Sequence, residues 1–153
     1  MIPARKTTTM PRLDHSLYAQ GIRFACQGCG CCCLTRGRYG YVYVSLPERR
    51  RLARHLRLPV QTFTRRYCVK TGGFFHLRSL GAACVFLENN RCRVHTARPD
   101  QCRTWPFWPE NMNPKTWARD ILPDCPGIGR GPRISPRKIQ ESLRQETARA
   151  PLP

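Results

Sequence analysis

Acidic side chains are scarce in this chain of 153 residues. Nine Asp and Glu stand against 27 Lys and Arg, which gives a formal net charge of +18. With so few carboxylates, the sequence does not predict a pair of catalytic acid and base residues. The basic residues are spread from Arg5 to Arg149 and do not form one block. The charge therefore predicts at most weak, non-specific attraction to nucleic acid, which would fall as salt rises.

Long apolar segments are missing as well. Arg or Gly interrupts the most apolar windows every few residues, so the sequence predicts no membrane-spanning segment. Residues Met1 to Thr7 lack the apolar run of a secretory signal. We therefore expect a cytoplasmic protein without a membrane partner. Walker sequences, glycine-rich dinucleotide loops and nucleophile elbows are absent too, which makes an enzyme less expected than a binding protein.

Cysteine, in contrast, is abundant and clustered. Five of the ten cysteines lie within eight residues, namely Cys26, Cys29, Cys31, Cys32 and Cys33. The spacing of Cys26 and Cys29 allows two thiolates to face one metal ion. Gly28 and Gly30 permit turns that direct backbone N–H groups at sulfur. Because soft sulfur ligands select zinc, iron–sulfur clusters or cuprous copper, the pattern predicts a metal site. A disulfide framework, the main alternative, would need an oxidising compartment.

The other five cysteines are distributed along the chain at Cys68, Cys84, Cys92, Cys102 and Cys125. A turn at residues 88–91 predicts a hairpin that joins residues 84–87 to residues 92–95, with Cys84 and Cys92 near opposite ends of the turn. None of the four histidines stands at zinc-finger spacing from a cysteine pair. His95, three residues after Cys92, is the one histidine to test as a ligand, although a packed hairpin residue is the simpler interpretation.

Hydrophobic spacing and turn residues predict short elements in a small α+β, loop-rich, metal-stabilised single domain with short helices and short β-hairpins. The sequence predicts strands over residues 39–44, 74–77 and 84–87, and a helical turn near Pro99. It predicts a helix from Ser45 to about Leu58, with its arginines outward and four residues inward, namely Leu46, Leu52, Ala53 and Leu56. It also predicts a short helix in which Val60, Phe63 and Tyr67 share a face, and a final helix from Ser135 to about Arg149 with Ile139 and Leu143 buried.

The composition also predicts how the chain is divided. Residues 1–20 are expected to be a flexible basic N-terminal tail. Residues 21–130 are expected to form the cysteine-cluster metal-binding domain, and residues 131–153 a C-terminal helix and tail. Fourteen prolines and eleven glycines leave little regular structure and a modest hydrophobic core. A closed thiolate site would stabilise such a domain.

An ordered set of cysteine motifs identifies a family resemblance. The set reads Phe24-x-Cys26-x-x-Cys29-Gly30-x-Cys32-Cys33, then Cys84-x-Phe86-Leu87, Cys92, Arg98-Pro99-x-x-Cys102-Arg103, Pro106-Phe107 and Cys125-Pro126-Gly127-Ile128-Gly129. Over about residues 24 to 130 it resembles the CxxCxxCC zinc- or iron-chelating domain of the YkgJ-type cysteine-cluster proteins. The resemblance implies that eight cysteines are metal ligands: Cys26, Cys29, Cys32, Cys33, Cys84, Cys92, Cys102 and Cys125. Cys31 and Cys68 fall outside this set, and His95 stands where family members often carry an aromatic residue.

The resemblance implies a metal-binding protein with a structural or redox role. The expected cofactor is an iron–sulfur cluster, of the 4Fe–4S type, or zinc. The expected partners are that metal ion or cluster and a redox protein. Two alternatives stay open: a basic zinc protein associated with nucleic acid, and a small component of a redox or methylation enzyme. The enzyme alternative is based on a resemblance to flagellin lysine methylase, a much longer enzyme with a similar cysteine pattern.

Overall fold

The computed structural model describes residues 13–34 and 41–149. The helices of this part are α1 (Leu46–His55), α2 (Val60–Tyr67), α3 (Asp100–Arg103), α4 (Pro114–Thr116) and α5 (Pro136–Ala148), with a π-helical stretch at Trp117–Ile121. The strands are β1 (Ile22–Phe24), β2 (Cys68–Thr71), β3 (Phe74–Leu77), β4 (Ser79–Leu80), β5 (Ala83–Cys84), β6 (Leu87–Glu88), β7 (Arg91–Cys92) and β8 (Ile128–Ile134). They pair antiparallel as β1–β8, β2–β3, β4–β5 and β6–β7. The predicted small α+β fold of short elements is confirmed, whereas its stabilisation by metal stays a prediction.

The described residues form two compact units. The cysteine unit comprises residues 28–34 and 41–103, and the terminal unit comprises residues 13–27 and 104–149. Cys26 and Cys125 belong to the terminal unit, and the other eight cysteines belong to the cysteine unit. Residues 1–12 of the predicted tail lie outside the described residues, whereas Tyr18 is buried in the terminal unit. The predicted boundaries at residues 20 and 130 stay predictions.

The core of the cysteine unit is built on α1 and α2. Leu52 and Phe63 are fully buried there, as predicted from their spacing. The ring of Phe63 lies 6.2 Å from that of Phe86, which follows Cys84 by two residues. Val94 follows Cys92 by two residues and is buried in the same core. Because burying a large apolar side chain contributes about 1.5–3 kcal/mol, the core fixes the backbone next to both cysteines.

A capping box starts α1, as the sequence predicts. The Glu48 N–H donates to the Ser45 hydroxyl at 3.4 Å, and the Ser45 N–H donates to the Glu48 carboxylate at 2.8 Å. The other carboxylate oxygen, Oε1, accepts the backbone N–H of Asp100 at 3.0 Å. Glu48 is buried, so its carboxylate is an internal link between α1 and α3. That link helps to position Cys102, which α3 carries.

Two predictions for α1 are wrong in part. The sequence predicts Leu46 inward, yet Leu46 is 41% exposed because it lies at the edge of the apolar stripe. The sequence also predicts an outward arginine face. Arg50 and Arg54 are exposed, but Arg51 is half-buried and donates to two backbone carbonyls and to the carboxylate of Asp100 at 2.9 Å. The arginines of α1 therefore have different environments.

The β6–β7 hairpin is tighter than the sequence predicts. Leu87 pairs with Cys92 across the turn Asn89-Asn90, whose residues have φ angles of 49° and 60°. Such angles at both central positions are those of a type I′ turn. Cys84 pairs instead with Ser79, in the separate β4–β5 hairpin. The predicted hairpin is therefore confirmed in part. Its turn carries Cys92, and the Arg93 N–H donates to the Phe86 carbonyl at 2.9 Å, but Cys84 belongs to the β4–β5 hairpin because the predicted strand over residues 84–87 is divided between two hairpins.

The strand predicted over residues 39–44 is reduced to an isolated bridge. Residues 39 and 40 lie outside the described residues. In the remainder, Tyr43 bridges His76, and the Val44 N–H donates to the Phe75 carbonyl at 3.0 Å. The chain enters α1 directly afterwards, which leaves no room for a longer ladder. The strand predicted over residues 74–77 is confirmed as β3.

The terminal unit is packed around α5. Ile139 and Leu143 are buried in its core, as their spacing predicts, together with Ile121. Ser135 caps the helix by accepting the Lys138 N–H at 3.3 Å. No helix within residues 13–34 and 41–149 has the length and apolar content needed to cross a membrane.

Candidate metal centre

The loop that carries Cys29 to Cys33 packs directly against the β6–β7 turn. Gly30 has a φ of +73°, and the Cys33 N–H donates to its carbonyl at 3.0 Å in a tight 3-10 turn. A Cβ at Gly30 would lie 2.6 Å from Leu87 Cδ1 and 2.7 Å from the carbonyl oxygen of Asn90. Only glycine allows this close approach of two backbone segments. The contact brings the cysteine loop against the hairpin that carries Cys92.

The other end of the same loop reaches β5. Leu34 follows Cys33 directly and forms an antiparallel bridge with Ala83. Ala83 immediately precedes Cys84 in β5. The loop is therefore held at one end by the β6–β7 turn and at the other by β5, and each of these contacts places a later cysteine beside it.

Five thiols of the cysteine unit interact with one another: Cys32, Cys33, Cys84, Cys92 and Cys102, hereafter the five-thiol cluster. The Cys33 thiol is hydrogen-bonded to both Cys32 and Cys92. Cys102 interacts electrostatically with Cys32, Cys84 and Cys92. These cysteines come from four separate segments of the chain, and the fold of the cysteine unit brings them together.

Hydrogen bonds decide where negative charge is favoured in the cluster. Donation from the Cys33 thiol lowers the pKa of Cys92 to about 7, and the Val94 N–H and Arg98 lower it further against the effect of burial. A hydrogen bond with the Cys33 thiol is also the main cause that lowers the pKa of Cys32. The pKa of Cys33 is raised because its proton is shared with these two sulfurs. Negative charge is therefore favoured on Cys32 and Cys92.

Backbone donors face two of the sulfurs. Burial raises the pKa of Cys84, and a hydrogen bond from the Phe86 N–H opposes that rise. In the same way, a hydrogen bond from the Val94 N–H lowers the pKa of Cys92 against the effect of burial. Such N–H···S bonds stabilise thiolates and are a recurrent feature around metal–sulfur centres. Because Phe86 and Val94 are both anchored in the core, these two donors are held in place.

Arg98 supplies positive charge next to the cluster. Its guanidinium lowers the pKa values of Cys32 and Cys92, in each case as a minor cause beside hydrogen bonding. Nη1 of Arg98 donates to the carbonyl of His95 at 2.7 Å. The pKa of His95 is lowered by burial and by the neighbouring guanidinium groups of Arg98 and Arg103. Arg98 was not predicted as an electrostatic neighbour of the thiols, although it stands in one of the matched motifs.

Cys102 is a half-buried member of the five-thiol cluster. Burial raises its pKa well above the usual range, and the nearby thiols raise it further. Its N–H donates to the carbonyl of Pro99 at 2.9 Å, which fixes the start of α3. A neutral thiol is stable in such a place, whereas a thiolate needs a compensating positive charge. A bound metal ion would supply that charge.

The other three predicted ligands belong to the cysteine loop and to the terminal unit. Cys29 is half-buried in the loop of the cysteine unit. Cys26 and Cys125 lie on neighbouring segments of the terminal unit, where the Ala25 N–H donates to the carbonyl of Gly127 at 3.1 Å. The structure thus shows that five of the eight predicted ligands interact. Their role as ligands stays a prediction.

The two cysteines outside the predicted set have different surroundings. Cys68 is buried in the core of the cysteine unit, and burial raises its pKa to about 11. Cys31 is half-buried in the tight turn of the cysteine loop. A buried thiol with a high pKa behaves as a small apolar side chain, which explains Cys68 without a metal.

The donor set fits a soft metal. All ten cysteines carry thiols in the structure. Within the described residues, no three His, Cys, Asp or Glu side chains are already arranged as metal ligands. In the five-thiol cluster the Cys33 thiol instead shares hydrogen bonds with Cys32 and Cys92, and metal binding requires loss of thiol protons. Clustered thiols, backbone N–H donors and one guanidinium are surroundings that suit a soft metal.

Comparison with known proteins identifies the family. Residues 25–125 match the family model CxxCxxCC, described as "Putative zinc- or iron-chelating domain". This match covers more than half of the chain, so the protein belongs to that family, and the resemblance found in the sequence is confirmed. A relative is an uncharacterized protein of Methanocaldococcus jannaschii, 28% identical over 123 residues. The alignment covers 76% of this chain and 64% of that protein. No solved structure matches the chain.

Proposed function

We propose that the protein holds an iron–sulfur cluster, or else zinc, through Cys26, Cys29, Cys32, Cys33, Cys84, Cys92, Cys102 and Cys125. The observation that carries the proposal is the mutual interaction of five of these thiols from four segments of the cysteine unit. The family description supports zinc or iron as the metal. The choice between them and the ligand set are our proposal.

Iron–sulfur is the first choice because of what surrounds the sulfurs. The N–H donors of Phe86 and Val94, the positive charge of Arg98 and the burial of Cys102 are the features that tune reduction potential in such centres. When bound, an iron–sulfur cluster supplies one-electron transfer, whereas zinc supplies structure without redox chemistry. A cluster would fit a redox role with a redox protein as partner. We also propose a cytoplasmic setting, where thiols stay reduced and available to a metal.

A structural role follows from either metal. The core of the cysteine unit is small, with ten buried side chains among the described residues, and its hairpins have strands of two to four residues. Isolated hairpins of this size are marginally stable in water. A metal that joins β5, β7, α3 and the cysteine loop would contribute its binding free energy to folding.

Metal and sulfide analysis of the anaerobically purified full-length protein tests this proposal. We expect a brown protein with iron and acid-labile sulfide in stoichiometric amounts, which dithionite bleaches. A colourless protein with stoichiometric zinc would select the structural zinc centre instead. A protein that is folded after anaerobic purification yet contains neither metal would contradict both forms of the proposal.

A further inference from the structure

A groove separate from the five-thiol cluster lies in the cysteine unit beside α1, α2 and the β2–β3 hairpin. Its volume is about 710 Å³, which is within the range of small-molecule sites. Five cationic side chains line it: Arg49, Arg50, Arg65, Lys70 and Arg78. We call this feature the basic groove. None of the eight proposed metal ligands is among its described lining residues.

The positive charge of the basic groove is not compensated by the described part of the chain. No Asp or Glu is among the described lining residues. None of the five cations forms an ion pair with a described carboxylate, in contrast to Arg51 of the same helix, which pairs with Asp100. Like charges gathered in one groove repel each other. A bound anion would relieve this repulsion.

Arg49 is held in place before any ligand binds. Its guanidinium carbon lies 4.1 Å from the centroid of the Phe75 ring, and Nη1 donates to the Thr64 hydroxyl at 3.2 Å. Its Nε is buried and has no hydrogen-bond partner among the described residues. A stacked guanidinium loses little further entropy when it binds an oxyanion. A ligand oxygen would also provide an acceptor for the unpaired donor.

A second cation is oriented by the backbone, and the groove has an apolar side. Nη2 of Arg78 donates to the carbonyl of Arg65 at 3.2 Å, which links β3's end to α2. Leu46 and Val60 also line the groove. The exposure of Leu46, which the amphipathic pattern of α1 does not predict, therefore creates an apolar surface next to the cations.

We propose that the basic groove binds a small organic phosphate. Its phosphoryl oxygens would accept hydrogen bonds from Arg49 and the neighbouring cations, and its organic part would pack against Leu46 and Val60. Guanidinium groups suit phosphate because their paired N–H donors match its oxygens. A small ligand fits better than a nucleic-acid strand. A strand requires an extended basic track with stacking side chains, whereas these five cations converge on one groove.

Titration calorimetry on the full-length, metal-loaded protein tests the proposal, with pyrophosphate, ATP and a single-stranded oligothymidylate as probes. We expect ATP and pyrophosphate to bind at physiological salt. Arg49→Gln should weaken ATP binding at least about tenfold, equivalent to about 1.4 kcal/mol. The matched control is Arg54→Gln, which removes the same charge from an exposed position on α1 outside the groove. It should leave the affinity within about twofold, because isolated surface charges are screened.

Further variants keep the test decisive. Arg65→Gln alters an exposed side chain of the groove and should weaken ATP binding while metal content and thermal unfolding stay unchanged. If Arg49→Gln does not fold, Arg65→Gln takes its place in the test. The proposal is overturned if neither ATP nor pyrophosphate binds, if only the oligothymidylate binds, or if Arg54→Gln weakens binding as much as the groove variants do.

Discussion

Cys92→Ser is expected to remove metal from the cysteine unit and to lower its free energy of unfolding by about 4 kcal/mol or more, since loss of a metal site is among the largest effects of a single substitution. Cys92 accepts the hydrogen bond of the Cys33 thiol and that of the Val94 N–H, and it interacts with Cys84 and Cys102. No other member of the five-thiol cluster has more of these contacts. Metal analysis and urea unfolding of the variant measure both effects.

Cys68→Ala is the matched control, because it also removes a sulfur from the cysteine unit. Cys68 is 3% exposed in the apolar core and lies outside the five-thiol cluster. We expect full metal content and a loss of stability of about 1 kcal/mol from the small cavity. Full metal retention in Cys92→Ser, or equal metal loss in the two variants, would show that the ligand assignment is wrong.

Gly30→Ala is expected to have the second largest effect, a loss of about 3 kcal/mol together with weaker metal retention. The new Cβ would lie within 2.7 Å of both Leu87 Cδ1 and the Asn90 carbonyl oxygen, so the cysteine loop and the β6–β7 turn would have to separate. Overpacking costs about 1–3 kcal/mol, and a positive φ in an alanine adds about 1–2 kcal/mol. Unfolding in urea and metal analysis measure the two effects.

Gly28→Ala separates the steric contact from the backbone strain. Gly28 has a φ of +64°, close to that of Gly30, but a Cβ there would meet no atom within 4 Å. This variant should therefore lose only about 1–2 kcal/mol, the cost of the left-handed conformation. If both variants lose the same stability and the same amount of metal, the loop is not held by the hairpin in the way the structure shows.

The elements that follow from local chemistry were predictable. Ser45 and Glu48 specify the start of α1 by themselves, because a capping box needs only residues three apart. Ile139 and Leu143 specify the buried face of α5 in the same local way. The cysteine pattern also predicts chelation, because many thiols in few residues supply the soft donors that zinc and iron–sulfur centres require.

The features that depend on distant partners were not predictable from spacing. Residues 84–87 have the composition of a single strand, and only the pairing of Cys84 with Ser79 decides that there are two hairpins. Arg98 becomes an electrostatic neighbour of Cys92 through the tertiary fold. Arg49 and Arg51 stand in the same run of arginines, yet Arg49 stacks on Phe75 whereas Arg51 donates to the Asp100 carboxylate in α3.

X-ray absorption at the metal edge of the anaerobically purified protein tests the central claim most directly, because it reports the atoms bound to the metal. We predict a first shell of sulfur alone, at about 2.3 Å. A first shell dominated by nitrogen or oxygen would contradict the claim that the cysteines brought together by this fold hold the metal.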